Sequence, residues 1–103
     1  DMAALAVLNA AARTGISVPA ELSVIGFDNI EEGRYSFPAV TTNGGDIRQL
    51  VEKLLETLFH RMVHPDAPTQ VSLMKVELSV RESCAPAGNR HNIKTVTESI
   101  CKQ

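Results

Sequence analysis

The sequence predicts a mixed α/β fold, and three observations carry that expectation. Apolar residues recur at helical spacing in two segments, Met2–Thr14 and Ile47–Met62. Between and after them stand short β-branched runs, Leu22–Phe27 and Val76–Val80, too brief for helices. Aromatic content is 4% with no Trp, so the core has to be built from Leu, Ile, Val and Ala, which suits helices packed on a sheet.

The first helix is predicted from Met2, Leu5, Leu8 and Ala12, with further alanines along its sides. Asp1 occupies the N-cap position. Gly15 followed by Ile16 is the pattern of a left-handed helix terminator with an apolar follow-on residue, and Pro19 prevents continuation. Leu22–Phe27 reads as a strand covered on both faces, as in a parallel sheet, with Asp28 just past its C-terminal end. Asn29–Pro38 is an irregular connection with one helical turn around Glu31–Arg34. Val40-Thr41-Thr42 is a second strand, and Asn43-Gly44-Gly45 breaks the chain. Asp46 then caps a helix whose apolar stripe is Ile47, Leu50, Val51, Leu54, Leu58 and Met62. His64–Pro68 is a loop. Thr69–Leu73 and Val76–Val80 alternate as strands, and residues 86–103 read as a mobile tail with a short helix near Thr95–Ile100. A parallel sheet needs more strands than these, so the 103 residues are expected to be part of a larger domain.

Composition narrows the function. A net charge of −2, with ten Lys and Arg scattered along the chain, gives no electrostatic footprint for nucleic acid. No run of 18 apolar residues predicts a membrane span, and no export signal pattern is visible, so a cytoplasmic chain is expected. Cys84 and Cys101 read as incidental thiols.

Few constellations suggest chemistry. His60 and His64 share a helix face, but Arg61 stands where a zinc-site Glu would, and no third ligand is near. Asn43-Gly44-Gly45 lacks the Lys-Ser/Thr of a phosphate-binding loop, and Asp46 would repel phosphate, which leaves a hinge or turn. Ser23, Ser36, Ser72 and Ser83 lack a nucleophile-elbow context, so no catalytic residue, metal or cofactor is expected. Asp28 differs, because open α/β sheets bind ligands at the C-terminal ends of their strands. By position alone it is either a ligand contact or a turn residue.

Three stretches carry a resemblance. Val18–Asn29 resembles the recurrent V-P-x-D/E-hydrophobic-S-V-hydrophobic-G-F/Y-D line of the LacI/GalR-type transcriptional regulators. Pro38–Thr42 is similar to their P-x-hydrophobic-T-T, and Val76–Ser83 to their closing E-L-hydrophobic-V-R-E-S. The resemblance implies the C-terminal part of an effector-binding domain of the type I periplasmic-binding-protein-like kind, a three-layer α/β/α fold of two subdomains with a cleft between them. Residues 1–44 and 74–85 would belong to the C-terminal subdomain, and 45–73 would pack on the N-terminal one.

The same resemblance implies the site. Asp28 inherits the role of the family's effector-binding Asp, for a sugar, nucleoside-type or related small molecule, with Gly45 and Ile47 facing the same cleft. Many members carry a larger polar pair and Pro where Gly44-Gly45-Asp46 stand, and a Gly where Val51 stands. Leu5, Asn9 and Tyr35 would lie at a twofold contact of a homodimer. Operator DNA would be bound only through an N-terminal headpiece lying outside these residues. The implied protein is a regulator rather than an enzyme. A periplasmic sugar receptor of an uptake transporter shares the fold and is the alternative, to be separated by a helix-turn-helix or a signal peptide upstream.

Overall fold

The computed structural model describes residues 1–87. Six elements follow in order: α1 (Met2–Thr14), β1 (Ile25–Phe27), α2 (Glu32–Tyr35), β2 (Thr41–Gly44), α3 (Ile47–Val63) and β3 (Glu77–Ser79). The alternation is the α/β arrangement that the apolar periodicities predict. The tail residues 88–103, including the helix expected near Thr95–Ile100, lie outside the described part.

α1 ends as its sequence requires. Gly15 takes the left-handed conformation at φ 74°, and the Ile16 N–H donates to the Ala11 carbonyl at 2.9 Å. This closes the helix while burying Ile16. Asp1 stands at the N-cap position, but its side chain makes no cap hydrogen bond. Its carboxylate is instead drawn to the sheet, where it accepts from the Thr42 hydroxyl at 2.6 Å and the Ile30 N–H at 2.8 Å.

The sheet has the order β1-β2-β3, with β2 in the middle. β1 runs parallel to β2, pairing Ile25 with Thr41 and Phe27 with Asn43. β3 runs antiparallel to β2, pairing Thr42 with Ser79 and Gly44 with Glu77. One face receives α1: Ala4 and Leu8 pack with Val24 and Val40, and half-buried Leu5, Val18 and Leu22 complete the cluster. Small alanines let the helix approach closely.

Five expectations are corrected. The strand read at Leu22–Phe27 is only Ile25–Phe27, because the Val24 N–H is taken by the Ser83 carbonyl at 2.8 Å and not by a strand neighbour. It is not covered on both faces, since Ile25 and Phe27 are 60% and 54% exposed. Asn43 and Gly44 do not break the chain but finish β2, where both sides of the backbone find partners; the break falls at Gly45. Thr69–Leu73 is not a strand, for among the described residues no neighbouring strand lies alongside, and Val76–Val80 shortens to the three residues that pair with β2.

Asp46 caps α3 as predicted, accepting from the Arg48 N–H at 2.8 Å. Yet no residue of α3 is buried, and its apolar stripe, from Leu50 at 41% to Met62 at 67% exposure, lies open. Each such side chain would gain about 1.5–3 kcal/mol on full burial, so a stripe of this kind requires a covering surface. The isolated 103-residue chain is therefore expected to self-associate and bind an apolar dye. Sedimentation with dye fluorescence checks this, and a dye-negative monomer with a sharp, concentration-independent melt would contradict it.

Candidate functional site

Because β1 and β2 are parallel, their C-terminal ends emerge at one edge of the sheet. Asp28 and Asn29 turn the chain there, with φ values of 96° and 54°. Two successive non-glycine residues in this region are uncommon, and such conformations cost on the order of 1–3 kcal/mol each unless the surroundings hold them. The surroundings do so with four hydrogen bonds. The Asp28 N–H donates to the Asn43 carbonyl at 3.0 Å, and the Asn29 N–H to the Thr42 hydroxyl at 3.3 Å. The Ile30 N–H donates to Asp1, and the Asn29 side-chain oxygen accepts from the Arg81 guanidinium at 2.6 Å. With its backbone turned inward, the turn leaves the Asp28 side chain exposed and in no hydrogen bond to the described residues.

Gly44 makes this crossing possible. A Cβ there would lie 2.8 Å from the Asp28 carbonyl carbon and 3.0 Å from the Asn29 nitrogen, closer than real contacts allow. At Gly45 a Cβ would meet only the Lys75 carbonyl oxygen, at 3.4 Å.

Beside the turn opens a cleft of about 860 Å³, walled by Phe27, Ile30, Ile47, Leu50, Met74 and Val76 and edged by Asp28, Asn29, Glu31, Arg34, Gly45, Asp46 and Arg48. That volume falls in the range of small-molecule sites, and apolar walls with a few charged groups are their usual composition. A second hollow, of about 570 Å³, continues from Asp28 and Gly45 toward Lys75 and Glu77. The three residues expected at the cleft, Asp28, Gly45 and Ile47, therefore line one cavity. Phe27, Arg34, Arg48, Met74 and Val76 were not singled out in the sequence. Of these, only Phe27 carried a signal, through its place beside Asp28.

The other three singled-out positions lie away from the cleft. Leu5 is half-buried against the core cluster and Asn9 is exposed one turn further along α1. Tyr35, at the end of α2, is 79% exposed, its hydroxyl 3.4 Å from Glu31 Oε1. The rings of His60 and His64 lie with centroids 4.9 Å apart and planes tilted by 46°, and among the described residues no three metal-ligating side chains come together. Arg61 closes the following loop by donating to the carbonyls of Pro65, Ala67 and Pro68.

Comparison with known proteins defines the class. The family described as periplasmic binding protein-like domain matches residues 1–84, and the chain belongs to it, as a LacI/GalR-type member. It is 36% identical over 83 residues to an HTH-type transcriptional repressor PurR from Mannheimia succiniciproducens, covering 81% of this chain and 25% of the repressor. A periplasmic binding protein/LacI transcriptional regulator from Alkaliphilus metalliredigens, complexed with D-xylulofuranose, is 31% identical with a TM-score of 0.73, over 82% of this chain and 32% of that one. The lac repressor dimer bound to operator and an anti-inducer is 28% identical with a TM-score of 0.68, over 79% and 28% of the two chains. The chain thus spans about a quarter of the length of the curated relative. Among the described residues no helix is long and apolar enough to cross a membrane.

The contrast between the two glycines is testable. In the full-length protein Gly44→Ala is expected to cost about 1–3 kcal/mol through overpacking against the Asp28–Asn29 backbone. Gly45→Ala should change stability by less than about 1 kcal/mol. Urea denaturation measures both, and equal effects would contradict the crossing described above.

Proposed function

We propose that this chain is the effector-sensing and dimerising part of a cytoplasmic bacterial transcriptional regulator, acting by binding and closure without a chemical step. The observation that carries the reading is the gathering of Asp28, Gly45 and Ile47 around one cleft at the ends of parallel strands. An ionised carboxylate accepts two or more hydrogen bonds, which suits the paired hydroxyls of a sugar or the N–H groups of a nucleobase. Phe27 and Ile47 supply the apolar walls against which a ring can rest. The sugar in the Alkaliphilus structure supports this ligand class, and relatives that are regulators support sensing over uptake.

Residues 1–44 and 74–85 form the C-terminal subdomain in this reading, while 45–73 pack on the N-terminal one and give the α3 stripe its cover. Gly45 and the segment near Met74 are then the crossings about which the cleft closes. Closure favoured by the effector alters operator affinity through the headpiece, a coupling between two sites of one molecule. Tyr35, Asn9 and Leu5 form the twofold contact of a homodimer, in which each patch meets its own copy. The dimer of the lac repressor supports this assembly.

Replacing Asp28 by Ala in the full-length protein is expected to weaken effector binding by about 1.5–3 kcal/mol, roughly ten- to hundredfold, with Asn intermediate. Calorimetry with D-ribose, D-xylulose, lactose, adenine and guanine provides the test, and an Ala variant that binds as wild type would make Asp28 a turn residue. For the dimer, Leu5 also packs in the core, so the exposed positions are the cleaner probes. Asn9→Arg with Tyr35→Glu should give folded monomers by sedimentation; an unchanged dimer would remove these residues from the contact.

A further inference from the structure

Arg81 follows β3 on the strand that returns from the 45–73 segment, yet its contacts lie elsewhere. Its Nη1 donates to the Val40 carbonyl at 2.8 Å and its Nη2 to Asn29 Oδ1 at 2.6 Å, across 52 residues of sequence. Its own N–H donates to the Thr41 hydroxyl at 3.0 Å, so the residue is anchored at both ends. The guanidinium runs past Gly33, where a Cβ would lie 3.6 Å from Nη1 and 3.5 Å from Val40 Cβ. No carboxylate of the described residues pairs with it within 4.0 Å. The hydrogen bonds of this half-buried cation to the described residues all go to neutral oxygens, with the Asp1 carboxylate on the other side of Gly33. The guanidinium serves to fix those oxygens, through charge-assisted bonds stronger than neutral ones.

One of the two oxygens belongs to the left-handed residue next to Asp28. We propose that Arg81 is a positioning residue: by gripping Asn29 it holds the Asp28–Asn29 turn in the conformation that presents the Asp28 carboxylate to the cleft, and so ties the returning strand to the effector contact. The role rests on the effector reading of Asp28. It explains how an unfavourable backbone pair is held by a contact outside the strand ladder. A lysine at this position has a single ammonium, which cannot reach Val40 and Asn29 with the spacing of a planar fork.

The test uses the full-length protein. Asn29→Gly removes the acceptor while tolerating positive φ, and Asn29→Asp keeps an acceptor for the guanidinium. Without any ligand, amide hydrogen exchange of residues 28–30 should quicken about tenfold in Asn29→Gly and in Arg81→Lys. It should stay near wild type in Asn29→Asp, with the melting temperature of both Asn29 variants close to wild type. Exchange unchanged in Asn29→Gly would overturn the positioning role. Exchange quickened throughout the sheet instead of at 28–30 would overturn it as well, since that marks general destabilisation. Titration with D-ribose and D-xylulose separates this proposal from the one beneath it. Binding lost in both Asp28→Ala and Asn29→Gly and recovered in Asn29→Asp supports the two together. Loss in Asp28→Ala alone overturns only the role of Arg81, and binding kept in Asp28→Ala overturns both.

Discussion

The central strand β2 carries obligations on every side, and the remaining structure is arranged to meet them. Its backbone pairs with β1 on one edge and β3 on the other, while Val40 and Thr42 are wholly buried. A buried polar group without a partner costs about 1–3 kcal/mol, so each donor and acceptor here demands a specific neighbour. Ser83 meets two of these demands from inside the core, accepting from the Thr41 N–H at 2.7 Å and donating to the Val24 carbonyl. The Thr41 hydroxyl receives Arg81, and the Thr42 hydroxyl bridges Asp1 and the Asn29 N–H. Among the described residues no buried side-chain polar atom lacks a partner.

From that arrangement the position of the cleft follows. The bridge through Thr42 and Asp1 pulls the chain after β1 inward, and Gly44 leaves room for it to cross. The Asp28 carboxylate, which has no hydrogen-bond partner among the described residues, is left exposed beside this network. Order and vacancy are thus adjacent: a fully satisfied strand end beside a free acceptor, on walls of Phe27 and Ile47. This is the disposition expected of a preorganised site, in which the supporting hydrogen bonds are spent on geometry before any ligand arrives.

How much of this was legible in the sequence depended on whether the cause was local. Two of the three caps were, since Gly15 after an alanine helix and Asp46 before an apolar stripe act through neighbouring backbone groups, whereas the Asp1 carboxylate is drawn to Thr42 and Ile30. Asp28 was legible as a candidate because a short apolar strand ends just before it. Strand extents were not, because Thr69–Leu73 has the alternation of a strand but no partner, while Asn43-Gly44 looks like a break yet has two partners. Nor could periodicity reveal the Arg81–Asn29 link, which joins residues 52 positions apart. Its trace in the sequence was the Arg of the closing Val-Arg-Glu-Ser run, a residue whose partner only the fold supplies.

Whether Asp28 faces a bound small molecule is tested most directly by a crystal structure of the full-length protein grown with D-xylulose or D-ribose. The sugar is expected in the cleft between Phe27 and Ile47, with both Asp28 carboxylate oxygens about 2.5–3.0 Å from its hydroxyls and the Arg81–Asn29 bond intact. A sugar bound elsewhere, or in the cleft with the Asp28 carboxylate turned to solvent, would contradict it.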